Sequence, residues 1–173
     1  MNGVFKAVSE AGGDKQKVAP SGFPVLNMLN TRYFIFPLQG GKTVPIRNPH
    51  TLGNAWFVNE VQYVDNANEE IDALHRIDPA KTAVVDKKFS AEVKSAAETD
   101  TLSTIKLTAY EPNDLKYEVN SKTGGTVVFS EIYYPGWQAY IDGVEAPHGR
   151  ADYILLAMNV PAGKHVEEFK FDA

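Results

Sequence analysis

The chain has 173 residues, and its 17 basic and 22 acidic side chains give a formal net charge of −5 at pH 7. This acidic balance gives no electrostatic basis for binding a phosphate backbone, so we expect no nucleic-acid partner. The sequence contains no cysteine, which excludes disulfides, thiolate metal sites and a cysteine nucleophile. It has neither an apolar run of about 18 residues nor an apolar core near its N-terminus, so we expect no membrane-spanning helix and no secretory signal.

Residues 1–22 are predicted to form a flexible lead-in, because breaking residues such as Gly12-Gly13 interrupt any periodic pattern. Residues 23–99 are predicted to form a small α/β portion packed on the domain that follows. Its first elements, in chain order, are a short helix at 23–30, a strand at 32–38, a loop at 40–53 and a strand at 55–64. The strand at 32–38 is apolar on both faces, which favours a central strand or one covered by a helix.

One helix is well defined by its sequence pattern. A cap at Asn66 and apolar side chains at helical spacing predict a helix over 66–78, which Pro79 ends. Its inward positions are Ile71, Leu74 and Ile77. Its other face carries Glu69, Glu70 and Asp72, which we expect to be solvated. A short strand is predicted at 82–86, whereas 89–99 remains open between helix and loop.

Residues 100–173 show the alternation of apolar and polar side chains that is typical of half-buried strands. The predicted strands lie at 104–110, 115–119, 126–133, 137–141, 153–160 and 166–171. Their spacing of roughly ten residues favours a sandwich. The expected fold is therefore mainly β: an antiparallel sandwich of the jelly-roll or immunoglobulin-like kind, preceded by a small α/β portion with one or two helices.

Three turn signals interrupt the second half of this β region. Pro135-Gly136 fits the central positions of a type II turn, in which the glycine takes a positive φ. Asp142-Gly143 is a hairpin dipeptide, because both residues tolerate left-handed conformations. Residues 161–163, Pro-Ala-Gly, make a third reversal. The predicted structural turn residues are Pro135, Gly136, Trp137, Asp142 and Gly143.

Aromatic side chains around these turns are the candidate binding residues. Alternation places Trp137 inside the fold and leaves Tyr134 and Tyr140 as surface candidates for stacking against a sugar ring, although a core role stays open for both tyrosines. Arg150 could pair with a carboxylate or with a substrate group, and a structural salt bridge is the favoured interpretation. These three residues form the predicted binding set.

No residue pattern predicts catalysis. Glu131 and Asp142 could serve as paired carboxylates for glycoside hydrolysis, but the turn already explains Asp142. Ser130 lacks the Gly-x-Ser-x-Gly context of a nucleophile elbow. The histidines show no metal-ligand spacing. We therefore expect no catalytic residue, no metal and no cofactor.

Several motifs together resemble a known family. The segment 133–143, YYPGWQAYIDG, is similar to the "YYPGW-AY-DG" signature of YfhO-type bacterial membrane proteins, and RADY at 150–153 and VPAGKH at 160–165 continue the match. Upstream, LNMLNTRYFI at 26–35 resembles the family's "lLNvrYli" element. The resemblance extends from about Pro24 to the end of the chain.

The resemblance implies a role outside the cytoplasm. YfhO-type proteins are polytopic and resemble glycosyltransferases that use lipid-linked sugars, with a catalytic acid near the start of the membrane portion. The chain would then be the soluble C-terminal domain of such a protein and would lack that acid. It would lie on the extracytoplasmic face of the membrane, in the periplasm or at the cell surface.

The implied role is structural or substrate-positioning. The expected partner is the membrane portion of the same parent protein, and a glycan or lipid-linked sugar is the second candidate partner. A free-standing carbohydrate-binding module that uses the exposed tyrosines is the alternative, and a small glycoside-acting enzyme is the third hypothesis.

Overall fold

The computed structural model describes residues 23–96 and 100–172. The predicted lead-in, residues 1–22, lies outside the described residues. The chain divides into two units between Thr51 and Leu52, and each unit is described by itself.

The first unit contains a short helix and a β-hairpin. Helix α1 (Pro24–Met28) begins with a proline, whose fixed φ and missing N–H suit a first helical turn. Strands β1 (Tyr33–Pro37) and β2 (Thr43–Arg47) pair antiparallel. The prediction of a loop over 40–53 is therefore wrong for the residues of β2. The strand tolerates its proline because, within the described residues, the sheet has only two strands and both are edges.

Of the two arrangements predicted for β1, the central strand is wrong. Its side chains alternate between exposed and half-buried, and within the described residues it pairs with β2 alone, so it is not a central strand. Asn48 directly follows β2 and is buried. Its Nδ2 donates to Asn27 Oδ1 and to the Thr31 carbonyl, both at 2.9 Å. These bonds hold the end of β2 against α1 and the residues that follow it.

The second unit is mainly β, with one α-helix among its described residues. Its elements are β3 (Ala55–Val58), β4 (Glu60–Val64), α2 (Ala67–Leu74), β5 (Thr82–Asp86), a 3₁₀ turn (Lys87–Phe89), β6 (Thr104–Glu111), β7 (Asp114–Ser121), β8 (Gly125–Ile132), β9 (Trp137–Ile141), β10 (Val144–Ala146), β11 (Gly149–Ala151), β12 (Leu155–Val160) and β13 (Gly163–Phe171). In this part of the chain a five-stranded sheet has the order β10-β9-β13-β7-β6, and a four-stranded sheet has the order β11-β12-β8-β3. Both sheets are antiparallel throughout.

The inner faces of the two sheets form one core, as a sandwich requires. Phe129 of the four-stranded sheet lies edge-on to Tyr117 and Phe169 of the five-stranded sheet, with ring centroids 4.9 and 4.8 Å apart. Trp137 is buried and packs on Phe169 and on Phe171. Edge-to-face packing of this kind is favourable beyond the area that it buries. The predicted sandwich is confirmed.

One carboxyl lies inside this core. Glu167 is fully buried on β13, opposite Tyr117 on β7 and Ile141 on β9. Among the described residues, no other residue donates a hydrogen bond to either of its carboxylate oxygens. Burial away from such donors raises the pKa of Glu167 to about 7.

The predicted strand at 55–64 is two strands that part at Asn59. Strand β3 joins the four-stranded sheet beside β8, whereas β4 pairs in parallel with β5. Helix α2 connects β4 to β5, and its cap Asn66 accepts hydrogen bonds from the backbone of Asn68 and Glu69. This small βαβ unit lies beside the end of the four-stranded sheet that carries β11, since Val84 and Asp152 exchange backbone and side-chain hydrogen bonds.

Candidate functional site

Tyr134 lies in the turn between β8 and β9, next to the end of β13. The backbone N–H of Trp137 donates to the Tyr134 carbonyl at 3.1 Å and closes the turn over Pro135-Gly136. Gly136 does not take a positive φ, so the predicted type II turn is wrong. The glycine is needed for space, because a Cβ there would lie 2.7 Å from both the Asp172 carbonyl oxygen and the Phe171 ring. The tyrosine ring is mostly exposed and packs on Phe171.

Replacing Gly136 with alanine is expected to lower the free energy of unfolding by about 1–3 kcal/mol, because the carbonyl of Asp172 belongs to the backbone and has to move. Urea denaturation of the two proteins measures the difference. Gly143→Asn is the matched control and is expected to lose less, since a Cβ there has no atom within 4 Å and the strain of its positive φ is smaller for asparagine than for most residues. An equal loss in both variants would contradict the steric explanation.

The second turn joins two strands and holds a histidine. Asp142 and Gly143 have φ of 50° and 80° and connect β9 directly to β10, as a type I′ hairpin turn requires. The Asp142 carboxylate accepts from His165 Nδ1 at 2.6 Å and from the Val166 N–H at 2.9 Å. His165 Nε2 faces the Ala162 carbonyl at 3.0 Å. Because both ring nitrogens face acceptors, the hydrogen bond to Asp142 and then that to Ala162 raise the pKa of His165.

Tyr140 lies on the outer face of the five-stranded sheet, the face opposite the core. It alternates with the buried residues Ala139 and Trp137 and is half-buried itself. Its hydroxyl donates to Gln138 Oε1 at 2.8 Å, and the Lys170 ammonium lies 5.3 Å from its ring centroid. The ring is therefore fixed in place by its neighbours on the sheet.

A groove of about 500 Å³, lined mostly by polar residues, lies on the same outer face, although Tyr140 does not line it. The strand register produces it, because Thr104, Asn120 and Lys164 form one row across β6, β7 and β13. Lys106, Glu118 and Val166 form the next row. The His165–Asp142 pair closes one side of the groove. The polar lining residues are Thr104, Lys106, Glu118, Asn120, Asp142, Lys164 and His165.

Arg150 lies elsewhere, in a buried charge cluster at the edge of the four-stranded sheet. Its guanidinium donates from NH2 to Glu70 Oε2 at 2.6 Å and lies 4.0 Å from Asp86 Oδ2. The rings of Phe89 and Tyr153 each lie 5.6 Å from its Cζ. This geometry is that of an internal ion pair with aromatic neighbours.

Glu70 is the centre of this cluster, and the prediction that it is solvated is wrong. Its side chain is fully buried, and its second oxygen accepts from the Tyr153 N–H at 3.1 Å. Burial raises the pKa of Glu70, while the Arg150 charge opposes the increase. The neighbouring Asp152 is also buried, with a pKa raised to about 7 by desolvation. Asp152 and Tyr153 both take positive φ, which the bonds to Val84 and Glu70 hold in place.

The structure thus separates the predicted binding residues. Tyr134 lies at a sheet end, Tyr140 on the outer face of the five-stranded sheet, and Arg150 in the buried cluster. Sequence reasoning missed the groove residues on β6 and β7, whose only signal was their polar character at alternate positions. It also missed Glu70 and Asp152, although Asp152 lies in the RADY motif.

The two candidate carboxylates are on different sheets. Glu131 is half-buried on β8 of the four-stranded sheet, and burial raises its pKa. Asp142 is in the β9–β10 turn of the five-stranded sheet, where hydrogen bonds from His165 and Val166 lower its pKa. Within residues 23–96 and 100–172, no group of three or more histidine and carboxylate side chains is placed to hold a metal ion.

Comparison with known proteins identifies a family. No curated protein and no solved structure matches the chain. A family model described as "Bacterial membrane protein YfhO" matches residues 82–172, which is more than half of the chain and includes every strand from β5 to β13. Over the residues that the structure describes, no helix has the length and apolarity needed to cross a membrane. The groove, the turns and the Arg150 end of the charge cluster all lie within the matched range, and the chain belongs to the YfhO family of bacterial membrane proteins.

Proposed function

We propose that this chain is a non-catalytic, extracytoplasmic domain of a YfhO-type membrane protein, and that it positions a sugar-bearing substrate for the membrane portion of the same protein. The parent protein would act on lipid-linked sugars of the cell envelope. The observation that carries the proposal is the groove on the outer face of the five-stranded sheet, inside the part of the chain that matches the family.

The chemistry of the groove suits a saccharide. Its volume of about 500 Å³ lies within the usual range for small-molecule sites. Lys106 and Lys164 offer donors, Glu118 offers acceptors, and Asn120 offers both. Tyr140 lies outside the groove on the same face: it is opposite Glu168, in the row after that of Val166, and it contacts Gln138 and Lys170. Donors and acceptors in one groove match the hydroxyl groups of a sugar, each of which both donates and accepts.

A non-catalytic role is supported by how the candidate carboxylates are used. Asp142 is committed to His165 and to the Val166 N–H, and Glu131 belongs to the other sheet. Turnover of a glycoside by the isolated chain, abolished by Glu131→Gln, would overturn this part of the proposal.

Cell fractionation tests the proposed setting. An antibody raised against this chain is used to blot soluble and membrane fractions of the source cells. The expected result is a membrane-bound band much larger than 19.1 kDa, exposed to protease added outside intact spheroplasts. A soluble band near 19.1 kDa would overturn the membrane-protein setting and favour a free-standing carbohydrate-binding module.

The groove itself is tested by glycan binding. On an array of glucose-, galactose- and N-acetylglucosamine-containing oligosaccharides, Asn120→Ala is expected to weaken binding about five- to tenfold, since it removes hydrogen bonds from the groove that contribute about 1 kcal/mol each. Tyr134→Ala is the matched control, because Tyr134 is exposed but lies away from the groove. Equal losses in both variants, or no binding by the unmodified chain, would contradict the groove as the site.

A further inference from the structure

The β1–β2 hairpin of the first unit presents an apolar face to solvent. Tyr33 and Ile35 are 58% and 69% exposed, and they lie on one face together with Pro37. Across the hairpin, Pro45 is opposite Ile35 and is exposed as well. Leu38, 53% exposed, follows at the tip. Large apolar side chains are thus grouped where water reaches them, which is characteristic of an interaction surface.

The charge around this face has one sign. The sequence has no acidic residue between Asp14 and Glu60, although the whole chain carries a net charge of −5. In the described part of the first unit the charged residues are Arg32, Lys42 and Arg47, and all three are exposed. They lie before β1, at the turn and at the end of β2. An apolar face is therefore rimmed by cations at both ends of the hairpin.

We propose that this hairpin lies on the surface of an anionic lipid bilayer. Tyr33, Ile35 and Leu38 would enter the headgroup region, where amphipathic aromatic rings such as that of tyrosine are favoured. Arg32, Lys42 and Arg47 would lie beside the lipid phosphates, which attract basic residues near the surface. A two-stranded hairpin is marginally stable in water, so contact with lipid would also supply the burial that the hairpin lacks.

The charge pattern favours lipid over the other occupants. A second copy of this face would bring like charges together, which is unfavourable. A bilayer containing phosphatidylglycerol supplies the opposite charge. The proposal is independent of the saccharide groove, because the hairpin and the groove lie in different units of the chain.

Vesicle sedimentation tests the proposal with the full chain. The probes are vesicles of phosphatidylcholine alone and of phosphatidylcholine with phosphatidylglycerol in about a 3:1 ratio, each at about 50 and about 300 mM salt. The chain is expected to bind the phosphatidylglycerol vesicles and to lose affinity at the higher salt. Each of Arg32→Gln and Arg47→Gln is expected to weaken binding about fivefold, and Ile35→Ser by about tenfold.

The second unit offers matched controls. Leu102 is 70% exposed, which is nearly the exposure of Ile35, so Leu102→Ser removes an equivalent apolar side chain elsewhere. Lys122→Gln removes an exposed cation in the same way. Both controls are expected to bind vesicles as the unmodified chain does.

Two results would overturn the proposal. The first is the absence of binding to phosphatidylglycerol vesicles, or an equal loss in Ile35→Ser and Leu102→Ser. The second is a chain that dimerises through the hairpin, with dimers lost in Ile35→Ser and no lipid binding. Because the tested residues are exposed, circular dichroism should show each variant folded. An absence of glycan binding by the unmodified chain would leave the vesicle result unchanged, so the two proposals fail separately.

Discussion

Arg150→Ala is expected to lower the free energy of unfolding by about 3–5 kcal/mol, because it leaves the buried carboxylate of Glu70 without its charged partner. The effect should depend on pH. Burial already raises the pKa of Glu70, and loss of the Arg150 charge raises it further, so the variant carboxyl takes up a proton more readily. The deficit is therefore expected to be smaller at about pH 5 than at about pH 8.

Lys116→Ala is the matched control for this prediction. Lys116 pairs with Glu168 at 2.8 Å, but the pair lies on the outer sheet face and its lysine is substantially exposed. Exposed pairs contribute little, so the control should lose less than about 1 kcal/mol. Urea denaturation at both pH values measures both variants. Equal losses would show that Glu70 tolerates isolation, and a deficit in Arg150→Ala that does not change with pH would show that the loss does not come from the charge of Glu70.

Raising the pH from about 5 to about 8 is expected to destabilise the second unit. In the folded chain Glu167 and Asp152 have pKa values raised to about 7 by burial, above the usual values of 4.5 and 3.8. At a pH between the unfolded and the folded pKa of either carboxyl, the folded state holds a proton that the unfolded state has released. Stability is thus complete below the unfolded pKa and is lost as the pH rises through the folded pKa. For Glu167 the difference corresponds to about 3 kcal/mol.

Glu167→Gln isolates the contribution of this carboxyl. The amide keeps the size of the side chain but does not ionise, so the variant should be more stable than the unmodified chain by about 3 kcal/mol at about pH 8 and nearly equal at about pH 5. Glu168→Gln is the matched control, one residue along β13. Hydrogen bonds from Lys116 and Lys170 lower the pKa of Glu168, so its replacement should not stabilise the chain at high pH. If both variants were more stable than the unmodified chain at about pH 8, the cause would be the change in net charge and not the burial of Glu167.

Local patterns predicted the strands well, since alternation reports directly on which side chains face a core. Strand β9 has the predicted bounds, and the Asp142-Gly143 signal marks the observed hairpin turn. Strands β10 and β11 have three residues each, and a segment that short does not show a recognisable alternation of apolar and polar side chains. Strand β2 was hidden by Pro45, which usually argues against a strand.

Long-range pairing explains the larger errors. Glu70 was predicted to be solvated because its partner Arg150 is 80 positions away along the chain, so no local pattern indicates the pair. The role of Gly136 was misjudged for the same reason, since the carbonyl that crowds it belongs to Asp172. The groove likewise requires three strands to be in register before its lining residues meet. No pattern within one segment contains that information.

The position of β3 determines how this chain can be shortened. The family match begins at residue 82, yet the strand that completes the four-stranded sheet is Ala55–Val58, which lies before that start. A chain trimmed to residues 82–172 would uncover one side of β8, whose residues 125–129 are all buried. A long, apolar strand with free N–H and C=O groups is a template for intermolecular pairing. Such a fragment would be expected to aggregate, and expression of this domain should therefore begin no later than Leu52.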